Sequence, residues 1–479
     1  MNLKKQAISG VKWNFIQQFS VQIINFAVQI VLARLLMPEM FGLIAMIMVF
    51  IAIGQTLMDS GMTSSLIRTK EPDQIDYSTV FFTNIIMSIA IYIIIYCSSP
   101  FIAKFYNQEL LTNIVRVFAI TFVIRALVAV HMAKLTKEMN FKLQMKIQLP
   151  SSIISGLIGI SMAYMGYGVW SLVFLNLTQA IIFTIQGWLV INWRPSFIFN
   201  IERFKYHFKF GYKLTLSSLL NTLYDNSYKI IIGKYFSPAT AGLYHLADMM
   251  RLFPVTQVSS VVGKVTYPLF AKIEDDAKLK SVYCISMKLV LIIVIPVMLS
   301  LILVANEVFL VVFGPQWLPA VPFFQILAIA SVMRPVSSYN LNILKVKGRS
   351  DLFLKLEVIK KITGLIAILI GISYSITGLV VAATIHFLIT VLIDIYFSGR
   401  LISYSLKEQF VDFYQLFSVG FFIYIFFYFI KNYTSHFFES DILVILSLSV
   451  SFISLYLLTV LLIDRPLLKT VKTILNRAN

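Results

Sequence analysis

Six ionisable side chains interrupt long apolar runs between residues 201 and 402 of this chain: Asp225, Lys229, Asp248, Arg251, Lys264 and Arg334. Charge at such positions is costly to bury and marks a functional site by default. Asp225 and Lys229 stand i,i+4 with the acid first, the favoured order for a helical ion pair. Asp248 and Arg251 stand i,i+3. Arg334 breaks "IASVMRPVSSYN" beside Pro335, where a kink frees backbone groups as well, and is the leading candidate for a ligand contact. Lys229, Arg251, Lys264 and Arg334 outnumber the two acids. A cavity with surplus positive charge suits phosphate or pyrophosphate, which regains by pairing what it loses on leaving water.

Other charges have quieter readings. Arg116, Arg125, Asp59 and Asp394 fall near the ends of apolar runs, where long side chains snorkel and carboxylates anchor at the interface. Arg34 and Lys234 read as outer-rim residues, and His386 as a hydrogen-bonded structural histidine. There is no G-x-x-x-x-G-K-[ST] loop, H-E-x-x-H, G-x-S-x-G or metal-spaced His/Cys cluster, so the sequence calls for no cofactor, no metal and no enzyme chemistry. Asp275 and Asp276 in "KIEDDAK" read as a solvated charge run. Cys97 and Cys284, the two cysteines, fall near opposite membrane faces, which argues against a disulfide.

The elements that must position these residues are membrane helices. Of 479 residues 58% are hydrophobic and 13% charged, and the mean hydropathy is +0.83. Soluble domains average about 45–50% apolar and about 25% charged, so the chain is an all-α polytopic membrane protein. Fourteen spans are predicted: 11–33, 40–62, 78–98, 113–131, 151–168, 169–191, 211–233, 244–267, 285–305, 320–344, 358–373, 377–398, 415–432 and 441–463. The first is read as a retained span, since it carries Asn14, Gln18, Gln22, Asn25 and Gln29 and lacks a cleavage signal. Basic residues test the topology. Lys134, Lys137, Lys142, Lys146, Arg203, Lys205, Lys209, Lys345, Lys347, Arg349, Lys360 and Lys361 fall on one side, and Arg34, Lys104, Lys234 and Lys431 on the other. The positive-inside rule then puts both termini in the cytoplasm. The formal charge of +18 is spread through these loops rather than gathered into a basic, aromatic-laced patch, which excludes nucleic acid as a partner.

One segment is said twice. "IVLARLLMPEMFGL" at 30–43 returns as "IIIGKYFSPATAGL" at 230–243, so that Arg34, Pro38, Gly42 and Leu43 answer to Lys234, Pro238, Gly242 and Leu243. The repeat falls six spans apart, which keeps its topology parallel. Each proline can open a helix, and each glycine can let helices approach. In the first span Asn14, Gln18, Gln22, Asn25 and Gln29 fall within about 80° of arc. Ser218, Thr222, Asp225 and Lys229 hold four of the five matching positions in the seventh. Polar stripes facing lipid leave hydrogen bonds unmade, so these should face protein or a hydrated cavity. The expected organisation is two parallel-repeat six-helix lobes, 1–200 and 201–402, around a central cavity, with two further helices in 403–479.

"ISGVKWNFIQQF", "LARLLMPEMFGLIAM", "DSGMTSSLI", "YHLADMMRLFP" and "TYPLFAKIEDD" together resemble the Wzx-type polysaccharide exporters, in particular the colanic acid exporter group of the multidrug/oligosaccharidyl-lipid/polysaccharide flippase superfamily. The resemblance runs over most of the chain and weakens after about residue 400. It implies two lobes forming a V around a cationic cavity, and transfer of an undecaprenyl-pyrophosphate-linked glycan from the cytoplasmic to the outer leaflet of a bacterial inner membrane. It further implies membrane lipids, a polysaccharide polymerase and other synthesis proteins as partners. Within that picture Arg251, Arg334, Lys229 and Lys264 are assigned to the pyrophosphate and Asp225 to ion coupling. A drug exporter of the same superfamily would prefer an acidic, aromatic cavity. A glycan polymerase or ligase would need a large outward loop, which the short predicted loops do not provide, and a non-transporting scaffold fits the sequence as well.

Overall fold

The computed structural model describes residues 3–437 and 440–464, and every regular element among them is helical. The chain forms two compact units, dividing between His245 and Leu246, beyond the lobe boundary expected at residue 200. The first holds α1 (Leu3–Leu35), α2 (Pro38–Asp59), α3 (Met62–Arg68), α4 (Gln74–Tyr106), α5 (Leu111–Lys137), α6 (Phe141–Tyr164), α7 (Val169–Val190), α8 (Ile201–Asp225), α9 (Ser227–Tyr235) and the start of α10 (Pro238–Ala271). The second continues with α11 (Asp276–Leu303), α12 (Ala305–Val308), α13 (Val321–Ser331), α14 (Arg334–Val346), α15 (Ser350–Ile372), α16 (Ile376–Leu401), α17 (Leu406–Phe437) and α18 (Asp441–Ile463).

Eleven helical segments among the described residues are long and apolar enough to cross a membrane. They match eleven of the fourteen predicted spans. The other three, 211–233, 244–267 and 358–373, are helical as α8 with α9, α10 and α15 but are not among the eleven. Those are the segments that carry Asp225 with Lys229, Asp248 with Arg251, and Lys360 with Lys361. Pro38 and Pro238 open α2 and α10 as their sequence context predicts, Pro38 behind an extended Met37. The helix breaks at Val332 and Met333, between α13 and α14, so that Arg334 and Pro335 open α14.

Two details of the apolar reading change. The helix predicted over 211–233 is interrupted at Asn226, so Asp225 closes α8 while Lys229 belongs to α9. Several helices also run past their apolar windows, and α5 extends to Lys137. That extension puts Arg125 in mid-helix rather than near an end. Asp394, read as an interfacial anchor, is wholly buried in α16. It accepts hydrogen bonds from Ser337 Oγ at 2.7 Å and Lys360 Nζ at 3.0 Å, and Lys360 also bridges to Glu357 at 2.7 Å. A buried carboxylate needs this pairing to remain charged, so Lys360 serves the interior of the second unit rather than a loop.

Candidate functional site

Within the first unit α2 packs along α8 and α9, and its two ends are held differently. At one end the repeated segments meet each other. A Cβ on Gly42 would fall 1.7 Å from the Pro238 carbonyl oxygen, and one on Gly242 would fall 1.8 Å from that of Pro38. The contact is reciprocal across the shift of 200, and it seats backbone directly on backbone. Lys234 lies beside it, its ammonium donating to the Phe105 carbonyl at 2.6 Å, while Arg34 is exposed in the last turn of α1.

At the other end α8 crosses the turn between α2 and α3. A Cβ on Gly211 would fall 2.3 Å from the Ser60 carbonyl oxygen. A buried polar chain follows. Ser65 Oγ lies 2.8 Å from His207 Nδ1, and His207 Nε2 lies 3.2 Å from Asp76 Oδ1. With the Nε2 proton directed at Asp76, Nδ1 accepts the Ser65 hydroxyl. Arg203 reaches Asp76 at 3.5 Å and Asp73 at 3.1 Å. The order serine, histidine, carboxylate is that of a hydrolase triad. Here Ser65, His207 and Asp76 are 3%, 0% and 1% exposed, so the serine has no room for a substrate, and the chain acts as a latch joining α3, α4 and α8. Burial pushes the His207 imidazole below its ordinary value, against the opposing pull of Asp76.

Between these ends lies a polar cavity of about 390 Å³. Gln55, Thr56 and Asp59 line it from α2, Ser64 from α3, and Thr215, Ser218 and Thr222 from α8. The Thr56 and Thr222 hydroxyls stand 3.5 Å apart across the seam, and Asp59 accepts a hydrogen bond from Thr63. At about 30 Å³ per water of liquid the volume holds on the order of a dozen waters, enough for a polyhydroxylated group. Hydroxyls of such a group can donate to Asp59 and Gln55 and accept from the threonines and serines. No cation is among these lining residues.

The sequence-predicted site residues are only partly brought together here. Ser218 and Thr222 line the cavity; Asp225 is exposed at the end of α8, and Lys229 is half-buried in α9. In α1 Gln18, Gln22 and Asn25 are exposed and Asn14 and Gln29 half-buried. Among the described residues of that helix the buried polar one is Gln17, whose Nε2 donates to Gln148 Oε1 at 2.7 Å. In the second unit Arg251 is engaged by Asp248 at 2.6 Å and by Ser331 Oγ at 2.9 Å, so its charge is balanced in place. Arg334 is exposed at the first turn of α14. The Lys264 side chain lies outside the described residues. His386, as expected, is hydrogen-bonded, with Thr363 Oγ1 at 3.0 Å. Asp59 was the acid missed. Its signal was the row Gln55, Thr56, Asp59, which at i, i+1 and i+4 puts Gln55 and Asp59 on one face of an otherwise apolar span.

The sequence model of a family described as polysaccharide biosynthesis protein matches residues 31–322. The teichuronic acid biosynthesis protein TuaB of Bacillus subtilis is 29% identical over 359 residues, covering 73% of each chain. The lipopolysaccharide biosynthesis protein WzxC of Escherichia coli is 27% identical over 378 residues, covering 78% of this chain and 76% of its own. Among solved structures, lipid II flippase MurJ in an inward closed conformation superposes with a TM-score of 0.75 at 16% identity, covering 95% of this chain and 99% of its own. An inward-facing multidrug resistance MATE family transporter of the MOP superfamily gives 0.63 at 15% identity, covering 81% and 98%. Those two likenesses establish the fold, which is that of membrane transporters. The family match extends over more than half of the sequence, and the chain belongs to the polysaccharide biosynthesis protein family.

Proposed function

We propose that this protein is a flippase, carrying an undecaprenyl-pyrophosphate-linked oligosaccharide from the cytoplasmic to the outer leaflet of a bacterial inner membrane for surface polysaccharide synthesis. The observation that carries the reading is the polar cavity between α2 and α8, flanked by a separate contact at each end. A glycan crossing hydrocarbon unaided would lose a hydrogen bond at every hydroxyl, each costing several kcal/mol. A path lined with hydroxyls, an amide and one carboxylate replaces those bonds. The two end contacts then part in alternation, each exposing the path to one leaflet. The reciprocal meeting of Pro38–Gly42 with Pro238–Gly242 supports the arrangement of two parallel six-helix repeats, 1–200 and 201–402, with 403–479 appended and both termini cytoplasmic. The pyrophosphate is assigned to Arg334, Lys229, Lys264 and Arg251, the last once Asp248 releases it, and ion coupling to Asp225.

The test is deletion of the gene followed by mass spectrometry of undecaprenyl-linked sugars. A completed repeat unit accumulating on the cytoplasmic leaflet, cleared when the chain is restored, is the expected result. A missing or shortened sugar would instead assign an enzymatic step. Arg334→Ala and Arg251→Ala should lower export with membrane insertion intact, and normal surface polysaccharide in both would remove them from the path. One observation favours a second reading. Asp59 is the one charged residue lining the cavity, as export of small cations would want. That reading predicts that deletion sensitises cells to cationic drugs and leaves lipid-linked glycans unchanged.

A further inference from the structure

A second cavity in the first unit, separate from the one between α2 and α8, has the opposite charge. It encloses about 180 Å³ between α5, α6 and α7, and its polar lining is Arg125, Gln148, Ser151 and Gln179. Arg125 stands twelve residues from Lys137 and fourteen from Leu111 at the ends of α5, about 20 Å from either at 1.5 Å per residue, which is too deep for snorkelling. Its guanidinium has no hydrogen-bond or ion-pair partner among the described residues. The sequence shows why the chain supplies none. α1 contains no acid, and the one acid between residues 111 and 190 is Glu138. The acids of α2 and α4, which also pack on α5, are Glu39, Asp59 and Asp76, in the terminal turns of those helices. Glu138 caps the far end of α5, also about 20 Å away along the helix. An arginine taken out of water without a counter-charge is costly, and this position has been given no internal remedy.

The surrounding amides are already oriented. Gln148 Oε1 is occupied by the Gln17 Nε2–H, which leaves the Gln148 NH2 as a donor. Gln179 Nε2 is engaged with Ser152 Oγ at 3.2 Å, which leaves Gln179 Oε1 as an acceptor. The cavity therefore offers a guanidinium fork and an amide N–H to an anion, with a carbonyl oxygen nearby for a hydroxyl. We propose that Arg125 and Gln148 bind a singly charged oxyanion carried on a hydroxylated group, the hydroxyl being taken by Gln179. A phosphodiester lipid headgroup with free hydroxyls and the carboxylate of an acidic sugar share this chemistry. The planar guanidinium matches either oxyanion in a bidentate fashion.

The test uses the purified full-length protein and two probes: phosphatidylglycerol, with phosphatidylethanolamine as the zwitterionic control, and methyl β-glucuronide. Native mass spectrometry is expected to show one equivalent of at least one probe, and the probe retained names the source. Arg125→Gln should weaken that binding at least tenfold, and Gln148→Leu about threefold, while Arg125→Lys keeps part of it. Without probe, Arg125→Gln should melt no lower than the native chain, because the substitution removes an unpaired charge. Retention of neither probe by the native chain, or binding by Arg125→Gln within twofold of native, overturns the assignment. If Arg125→Gln does not fold, Gln148→Leu decides: unchanged binding there overturns the site as well.

Discussion

The two ends of the α2 seam close by different physics. Where Gly42 and Gly242 meet the opposing proline carbonyls, closure is a matter of shape: backbone lies on backbone. Where α8 crosses the α2–α3 turn, a glycine contact is joined by the buried chain Ser65–His207–Asp76 and by Arg203. Shape alone responds to side-chain volume; a histidine latch responds to protons as well. An alternating carrier needs its two closures to open independently, and building them from different interactions gives each its own sensitivity.

The most severe way to break the comparison is to add volume where there is none. Gly42→Val places a branched side chain where even a Cβ would overlap the Pro238 carbonyl. Overpacking costs about 1–3 kcal/mol and more where backbone must move. We expect export, read as surface polysaccharide in a complemented deletion strain, to fall at least tenfold. Gly242→Val should do the same, and the double variant should be far from additive because the two share one contact. Full activity in both single variants would remove the Gly42–Gly242 contact from the transport cycle.

The other end breaks through its polar chain. His207→Ala leaves the buried Ser65 hydroxyl unpaired and Asp76 with Arg203 and the Asp73 backbone N–H as its remaining partners, which costs about 1–3 kcal/mol for groups of this kind. Thermal denaturation in detergent measures it. The proton dependence sharpens the contrast. Burial lowers the His207 pKa from its ordinary 6.5, outweighing Asp76, while Arg203 lowers it further and Asp73 raises it. The folded state then binds fewer protons than the unfolded state just below pH 6.5, so stability falls as the pH drops from there through the folded-state value. That slope should persist in Gly42→Ala and shrink in His207→Gln. A slope unchanged in His207→Gln would place the titrating group elsewhere.

How much of this was legible in the sequence depends on distance along the chain. The helices were readable because apolar runs of membrane length leave no other structure that satisfies the backbone. The two proline–glycine segments could be matched by their spacing, although sequence alone did not say that they touch. Arg125 was misplaced because its apolar window was closed at His131 while α5 continues to Lys137. The stripe on α1 selected Gln18, whereas Gln17 is the residue α6 buries. Helical arcs rank faces, but only a neighbouring helix decides which edge of the arc is covered. The Ser65–His207–Asp76 chain joins residues 131 and 142 positions apart, and no local pattern announces such a meeting.

The smallest effect on stability is expected between the two ends. Thr222→Val keeps the shape of its side chain and removes one hydroxyl from the cavity, where its partner Thr56 stands 3.5 Å away and also bonds the Ala52 carbonyl at 2.8 Å. A contact that long contributes little, and Thr56 retains its backbone partner. Stability should therefore change by no more than about 0.5 kcal/mol. Export is another matter if the cavity is the glycan's path, because one of its hydrogen-bonding positions has gone, and a loss of about threefold is expected, near the low end of a single hydrogen bond's worth. The opposite pattern, with stability down by more than about 1 kcal/mol and export untouched, would make the α2–α8 seam a structural joint like any other. The two end contacts would then have nothing between them to guard.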